Sequence, residues 1–345
     1  MSFADDIKDA SVLDLPWQDL ENMNILIAGA TGLIGSALVD VLMERNGNYQ
    51  VFASGRNYAR AQMRFSRYFD KPNFHFICHD ITEPLNGDTD FQIIIDAASG
   101  ASPHLYNLDP VGVMKSNFMG VDNLLSYGRT HKLRLFLYVS SGEIYGEGNG
   151  SEFTENDSGY VNCASVRACY PSSKRAAETL CLSYAHQYGI DVRIARPCHV
   201  YGPYFTENDN RVYAQFIRNI LNGENIVLKS DGSQFRSWCY VVDCVAALIY
   251  LLLKGNCGEA YNVADESSNI SIKALAEMVA SIGKKSVIFE IPKSTEKLGY
   301  NVVTKSIFST KKLNSLGWKI SGNMKEKMER TIAETIRFSN NVNAC

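Results

Sequence analysis

A glycine-rich turn, Gly29-Ala-Thr-Gly32-Leu-Ile-Gly35, joins the apolar run Asn24-Ile-Leu-Ile-Ala28 to a stretch with helical apolar spacing at Leu33, Ala37, Leu38, Val41 and Leu42. Each glycine has a distinct task in such a turn. One makes the tight bend, one lets backbone approach a pyrophosphate, and one lets helix and strand pack closely. The helix that follows offers free N–H groups and the positive end of its dipole to phosphates. A glycine turn without a ligand is the plainer reading. The strand before it and the helix after it favour a dinucleotide cradle formed by Gly29, Ala30, Thr31, Gly32, Leu33, Ile34 and Gly35.

The rest of the first half repeats this alternation. Tyr49–Ala53, Phe74–Cys78, Phe91–Ala97 and Leu133–Ser140 read as strands. Val111–Tyr127 reads as a helix with Val111, Met114, Phe118, Val121 and Leu125 on one face. Continuous apolar strands alternating with amphipathic helices imply a parallel sheet covered on both faces. The expected fold is therefore α/β, a Rossmann-type doubly wound parallel sheet with a smaller mixed α/β C-terminal substrate lobe. Residues 1–23 read as a helical extension. Residues 24–200 make the dinucleotide-binding domain, 238–264 return to it, and 201–345 form mainly the substrate lobe. Helices are expected at Val241–Leu253, Ser271–Ile282 and Lys325–Phe338.

Composition narrows the partners. Of 345 residues, 46% are hydrophobic and 21% charged, with a net charge of −3. A nucleic-acid binder would carry a basic surplus, so that class is disfavoured. The 9 cysteines show no C-x-x-C pair, which points to free buried thiols and to no metal site. The first residues lack a basic start and an apolar run, and no stretch is long enough to cross a bilayer. A cytoplasmic protein without membrane contact is expected.

The end of the second strand ordinarily carries an acid for the adenosine ribose. Here it reads Val51-Phe-Ala-Ser-Gly-Arg56-Asn57, with no carboxylate. Arg56 could stack on adenine or face a 2′-phosphate, which leaves NADP open beside NAD. Asp80, after the third strand, is either an adenine contact or a simple turn residue.

Tyr170-Pro-Ser-Ser-Lys174 places a phenol and an ammonium on one helical face. A cation beside a phenol lowers its pKa, so that tyrosinate can take a proton from a substrate hydroxyl while hydride leaves the same carbon. The spacing alone is weak. Tyr250-Leu-Leu-Leu-Lys254 fits it too, but lies in an apolar helix whose C-terminal dipole suits a lysine. Context favours Tyr170. Upstream, Val139-Ser140-Ser141-Gly142-Glu143-Ile-Tyr-Gly146 leaves a strand at the same sheet edge. A serine there can bond the substrate oxygen, or else merely cap a turn.

The glycine loop, Ser140-Ser-Gly-Glu-Ile-Tyr-Gly146, Tyr170-Pro-Ser-Ser-Lys174 and Arg196-Pro-Cys-His-Val-Tyr-Gly-Pro203 together resemble the extended short-chain dehydrogenase/reductase family, which includes the NAD-dependent epimerases and dehydratases. The resemblance runs from about Asn24 to Trp318. Within it, His79–Leu85, Ala98–Pro103, Arg167–Thr179, Asn208–Val212 and Gly232–Arg236 look closest to UDP-glucuronate decarboxylases, with dTDP-glucose 4,6-dehydratases nearly as similar. The resemblance implies Tyr170 as base, Lys174 as its tuner and ribose holder, Ser141 as the catalytic hydroxyl and Glu143 as the triplet glutamate. It implies cofactor contacts also at Arg56, Asn57, Asp80, Ile81, Ala97, Ala98, Ser99 and Pro197. Substrate contacts are implied at Ser99, Ser141, Gly142, Glu143, His199, Tyr204, Arg211 and Arg236, the two arginines gripping diphosphate and nucleoside.

There are departures. Gly142 stands where dehydratases have an aspartate acid and decarboxylases often a serine. The decarboxylase arginine that meets the carboxylate falls near Lys305. His199 replaces an asparagine, and Tyr204 an arginine after the Gly-Pro pair. The implied chemistry is oxidation at carbon 4 of a nucleotide-diphosphate sugar, then decarboxylation or 4,6-dehydration, then return of hydride to the product from NAD that stays bound. A 4-epimerase needs only Tyr170, Ser141 and room for the ketosugar to turn. A non-catalytic dinucleotide sensor is the remaining alternative. The resemblance also implies a homodimer paired through helices Val111–Tyr127 and Ala168–Tyr188.

Overall fold

The apolar runs become strands. The computed structural model describes residues 1–206, 209–291 and 304–342. In chain order the strands are β1 Asn24–Ala28, β2 Gln50–Gly55, β3 Phe74–Cys78, β4 Ile93–Asp96, β5 Leu135–Val139, β6 Asp191–Pro197, β7 His199–Tyr201, β8 Ile226–Leu228, β9 Phe235–Tyr240, β10 Ala260–Val263, β11 Asp265–Ser271, β12 Val287–Phe289 and β13 Lys305–Ser306. The helices are α1 Phe3–Ser11, α2 Leu33–Arg45, α3 Tyr58–Phe65, α4 Pro103–Leu108, α5 Pro110–Thr130, α6 Cys169–Tyr188, α7 Val212–Leu221, α8 Val241–Lys254, α9 Ile272–Gly283, α10 Lys311–Asn314 and α11 Met324–Val342.

Seven strands form the main sheet in the order β3-β2-β1-β4-β5-β6-β10, and every pairing is parallel. The doubly wound parallel sheet expected from the sequence is thus present. Side chains alternate across it. Ile25 and Ile27 enter one core, with Leu38, Val41 and Leu42 of α2 and Val245 and Leu248 of α8. Leu26 and Ala28 enter the other, with Val121, Leu124 and Leu125 of α5 and Ala177 and Cys181 of α6. Both faces are covered, which is why the strands read as unbroken apolar runs. The chain runs outward one way through β2 and β3 and then the other way through β4, β5 and β6. The order reverses between β1 and β4, and the crevice past their C-terminal ends is where such sheets bind ligands.

A second sheet runs β11-β9-β13, with β7 also paired to β9, and β8 and β12 form a third. At the N-terminus a capping box between Ser2 and Asp5 starts α1. Asp6 of α1 accepts a hydrogen bond from Tyr240 at 2.8 Å and pairs with Arg330 of α11 at 2.8 Å.

Some local expectations are revised. Val121 and Leu125 of α5 are buried, whereas Val111, Met114 and Phe118 are exposed. Helices α3 and α7 have no counterpart in the sequence reading. The eight described cysteines are free, but Cys78, Cys163 and Cys257 are exposed rather than buried. Among the described residues no helix is long and apolar enough to cross a membrane.

Candidate active site at the switch point

The glycine loop occupies the start of the crevice. Gly29 has φ +73°, and a Cβ there would lie 2.6 Å from the Ala98 backbone. A Cβ on Gly35 would lie 2.4 Å from the Gly29 carbonyl oxygen. These two glycines are demanded by the fold itself. Gly32 is different. A Cβ there would meet only the Gly29 oxygen, at 3.2 Å. Gly32 caps α2 without any side-chain hydrogen bond, so the first N–H groups of α2 are left for a ligand. The loop therefore fits a pyrophosphate. Across the crevice, Ala97 is tied to β1 through the Ala28 carbonyl at 3.0 Å, and Ala98 donates to Asp96 at 3.0 Å.

The proposed adenine-end residues sit at the tips of β2 and β3. Arg56 is exposed and 3.7 Å from Asp80. Asn57 caps α3 by accepting from Arg60 N–H at 2.9 Å. Asp80 accepts from both the backbone and the hydroxyl of Thr82, the turn role weighed for it above. Ile81 is buried beneath Gly120 of α5, in the core shared by sheet and helices.

Tyr170 and Lys174 both lie on α6 and are both buried. The phenol is pushed up to about 12, chiefly by burial and next by the Glu143 charge, with the Ser141 and Ser99 hydroxyls drawing it back down. The Lys174 ammonium turns inward, donating to the Val139 carbonyl at 2.8 Å and lying 4.6 Å from the Tyr138 ring. The other Y-x-x-x-K match stays within α8, with the Lys254 ammonium 5.5 Å from the Tyr250 ring.

Ser141 accepts from Glu143 N–H at 3.1 Å and so starts the short turn Gly142–Tyr145, while its hydroxyl also acts on Tyr170. Ser99 donates to Asn117 at 2.8 Å. Asn117 donates to Ser173 at 3.0 Å, and Ser173 bonds the carbonyls of Cys169 and Tyr170. This buried chain ties the β4 exit to the helix turn that bears Tyr170.

Three groups at the site had no assigned role in the sequence reading. Arg167 pairs with Glu143 at 2.9 Å. Its guanidinium lies 4.6 Å from the Tyr106 ring, and Tyr106 stacks on Tyr170 at 4.9 Å. Asn117 is the third. It shares the buried stripe of α5 with Val113, Val121 and Leu124, and a polar residue on that stripe was the signal available.

Arg211 and Arg236 face the same cluster, since both act electrostatically on His199 and Glu143 acts on Arg236. Arg211 grips Asp209 through Nε at 2.9 Å and Nη2 at 2.5 Å. Burial leads in pulling Arg236 down. His199 packs 5.3 Å from the Trp238 ring, and burial pulls it down to about 3, so its imidazole is neutral. Pro197 ends β6 beside Val263. Asn208 lies outside the described residues.

Tyr204 does not join this group. Its φ is +67°, and its ring lies 4.1 Å from the Arg64 guanidinium, edge-on to Phe3 and Phe338. Its hydroxyl donates to Glu334 of α11. The backbone turn aims it at the terminal helices rather than into the crevice. Lys305 is exposed on β13, beside Phe235.

Gly142 has a structural cause. A Cβ there would lie 2.5 Å from Cζ of Phe308, a ring buried against Tyr145 and Phe153. No side chain fits at the middle of the triplet while that ring is in place.

Residues 25–264 match the profile of the NAD dependent epimerase/dehydratase family. The chain belongs to that family. UDP-glucuronic acid decarboxylase 3 of Arabidopsis thaliana is 37% identical over 274 residues, covering 79% of this chain and 78% of that protein. UDP-glucuronic acid decarboxylase 1 of Xenopus tropicalis is 30% identical over 90% of this chain and 72% of that protein. In fold, this epimerase/dehydratase chain is similar to dTDP-glucose 4,6-dehydratase from Streptomyces venezuelae, solved with NAD (TM-score 0.79, 21% identity, 92% of this chain and 97% of that one). It is equally similar to UDP-glucuronic acid 4-epimerase from Bacillus cereus, solved with UDP-glucuronic acid and NAD (TM-score 0.79, 23% identity, 91% and 99%). The family's use of NAD agrees with the glycine-loop reading.

Proposed function

We propose that this chain is an NAD-dependent nucleotide-sugar decarboxylase acting on a UDP-hexuronate. The lack of an acid at Gly142 carries the choice against dehydration. Dehydration calls for an acid to expel a hydroxyl, and the triplet has neither an acid at 142 nor space for one. Loss of CO2 from a 4-keto sugar needs no such acid, because the ketone takes up the electrons of the breaking bond. The 37% identity to a UDP-glucuronic acid decarboxylase supports the same reading.

NAD would be held by Gly29–Gly35, Ala97–Ser99, Tyr170 and Lys174. When bound, NAD would supply the hydride acceptor and later the donor. Tyr170 takes the proton of the 4-hydroxyl, while Ser141 and Ser99 hold that oxygen. The 4-ketone makes the C5 carboxylate a β-keto acid. The bond from C5 to the carboxylate breaks, CO2 leaves, and the electron pair passes into the ketone. C5 is then protonated on the side toward Glu143, whose charge Arg167 balances. Tyr170 returns its proton to O4. The net change is loss of CO2 and gain of one proton. Arg211 and Arg236 bind the diphosphate and nucleoside.

Incubation with UDP-glucuronate, UDP-glucose and dTDP-glucose tests this, with products read by mass spectrometry. Loss of CO2 from UDP-glucuronate alone is expected. Loss of water from dTDP-glucose, or conversion of any of the three without change of mass, would replace this reading with dehydration or epimerisation.

Two copies would pair through α5 and α6, where Val111, Met114, Phe118 and Leu182 are exposed. Apolar side chains gathered on adjacent helices favour a covered face. Light scattering should give about twice 38.4 kDa. A mass of one chain sinks the dimer.

A further inference from the structure

Lys174 is only 1% exposed, and a charge buried that deep needs a partner. The groups around it can be taken element by element. From α6 come Glu178 and Cys181, from β5 comes Tyr138, and from β4 comes Asp96. Glu178 is committed elsewhere. It takes three hydrogen bonds from Arg196 of β6, at 2.7 to 3.2 Å. Burial pushes the Cys181 thiol and the Tyr138 phenol well up, so both are neutral.

Asp96 remains. It pairs in register with Tyr138 on the neighbouring strand, so both side chains leave the same face of the sheet, the face over which Nζ of Lys174 lies. Its Oδ1 accepts from Ala98 N–H at 3.0 Å. Its Oδ2 is fully buried and has no hydrogen-bond partner among the described residues.

We propose that Asp96 is the counter-charge that keeps Lys174 an ammonium beneath the sheet edge, and so a positioning residue for the Tyr170–Lys174 pair. This rests on the reading of Lys174 as the partner of Tyr170. The mutual influence has the right signs. Burial pushes Asp96 up to about 6 and Lys174 holds it back. Burial pulls Lys174 down to about 8 and Asp96 holds it up. Asp96 also fixes Ala98, against which Gly29 packs. One carboxylate thus joins the cofactor loop to the lysine.

Asp96→Asn keeps an oxygen for Ala98 and removes the charge. Lys174 should then lose its proton at lower pH, moving the alkaline limb of kcat/KM for UDP-glucuronate down by about one pH unit. A second readout needs no activity. The folded value of Lys174 lies below its unfolded value, so between the two the folded state binds fewer protons and stability rises with pH. In the intact protein that rise begins near pH 8. In Asp96→Asn the urea midpoint should begin to climb about one unit lower. In Lys174→Met the alkaline climb should vanish, with or without Asp96→Asn added. A midpoint lowered equally at every pH would mean a purely structural Asp96 and would overturn the proposal. If Asp96→Asn does not fold, Lys174→Met still decides. Without the cation Asp96 should remain a carboxylic acid at about pH 7, visible by infrared and absent in the intact protein. No such band overturns the proposal. Full turnover in Lys174→Met would instead refute the role given to Lys174, while leaving the pairing itself testable by urea.

Discussion

Tyr170→Phe should cut kcat about a thousandfold, within the range for loss of a general base, and leave NAD affinity and the melting temperature close to those of the intact protein. The geometry separates these effects. The Tyr170 ring is held by its stack on Tyr106 at 4.9 Å, and phenylalanine keeps that stack. The helix turn is held by Ser173, which bonds the Cys169 and Tyr170 carbonyls and not the phenol. The hydroxyl acts on Ser141 and Ser99, groups of the crevice rather than of the core. Its removal should therefore be felt in proton transfer and hardly elsewhere. A fall of less than about tenfold in kcat would rule out Tyr170 as the base. A large fall in melting temperature would mean that the phenol belongs to the fold.

The parts that the sequence made legible share a physical basis. Strand β1, the glycine loop and α2 are local, periodic and punctuated by glycine, and Leu33–Arg45 emerges as read. Tyr170, Ser141 and Glu143 were legible because short motifs fixed their types and order. The rest depends on contacts between distant residues. Tyr204 follows a Gly-Pro pair in the chain, but its positive φ swings it toward α1 and α11. Lys174 shares a face with Tyr170, yet a carbonyl and a buried carboxylate draw its ammonium inward. Tyr106 sits on the short helix Pro103–Leu108, which has too few turns to display a period. Gly142 departed from the family pattern for no reason visible locally. The reason is Phe308, a residue far along the chain whose ring packs over it.

The glycine loop allows a sharper separation of fold from ligand. Gly29→Ala should destabilise the protein by about 3 kcal/mol and abolish NAD binding. The left-handed φ of +73° costs a side chain about 1–2 kcal/mol, and the new Cβ would press on the Ala98 backbone at 2.6 Å, worth about 1–3 kcal/mol of overpacking. Neither neighbour is a flexible side-chain end, so β1 and β4 must part. Gly32→Ala should behave oppositely. Its φ of −79° suits alanine, and its Cβ would meet one carbonyl oxygen at 3.2 Å, so the urea midpoint should hardly move. That Cβ would stand at the open start of α2, where a pyrophosphate must approach the N–H groups. One charge-assisted bond lost there is worth about 3 kcal/mol, or about a hundredfold in NAD affinity by calorimetry. The two variants thus cross over, one failing in stability and the other in binding. If Gly32→Ala bound NAD as tightly as the intact chain, the phosphates would have to lie elsewhere than at the head of α2, and the cradle assigned to Gly29–Gly35 would be wrong.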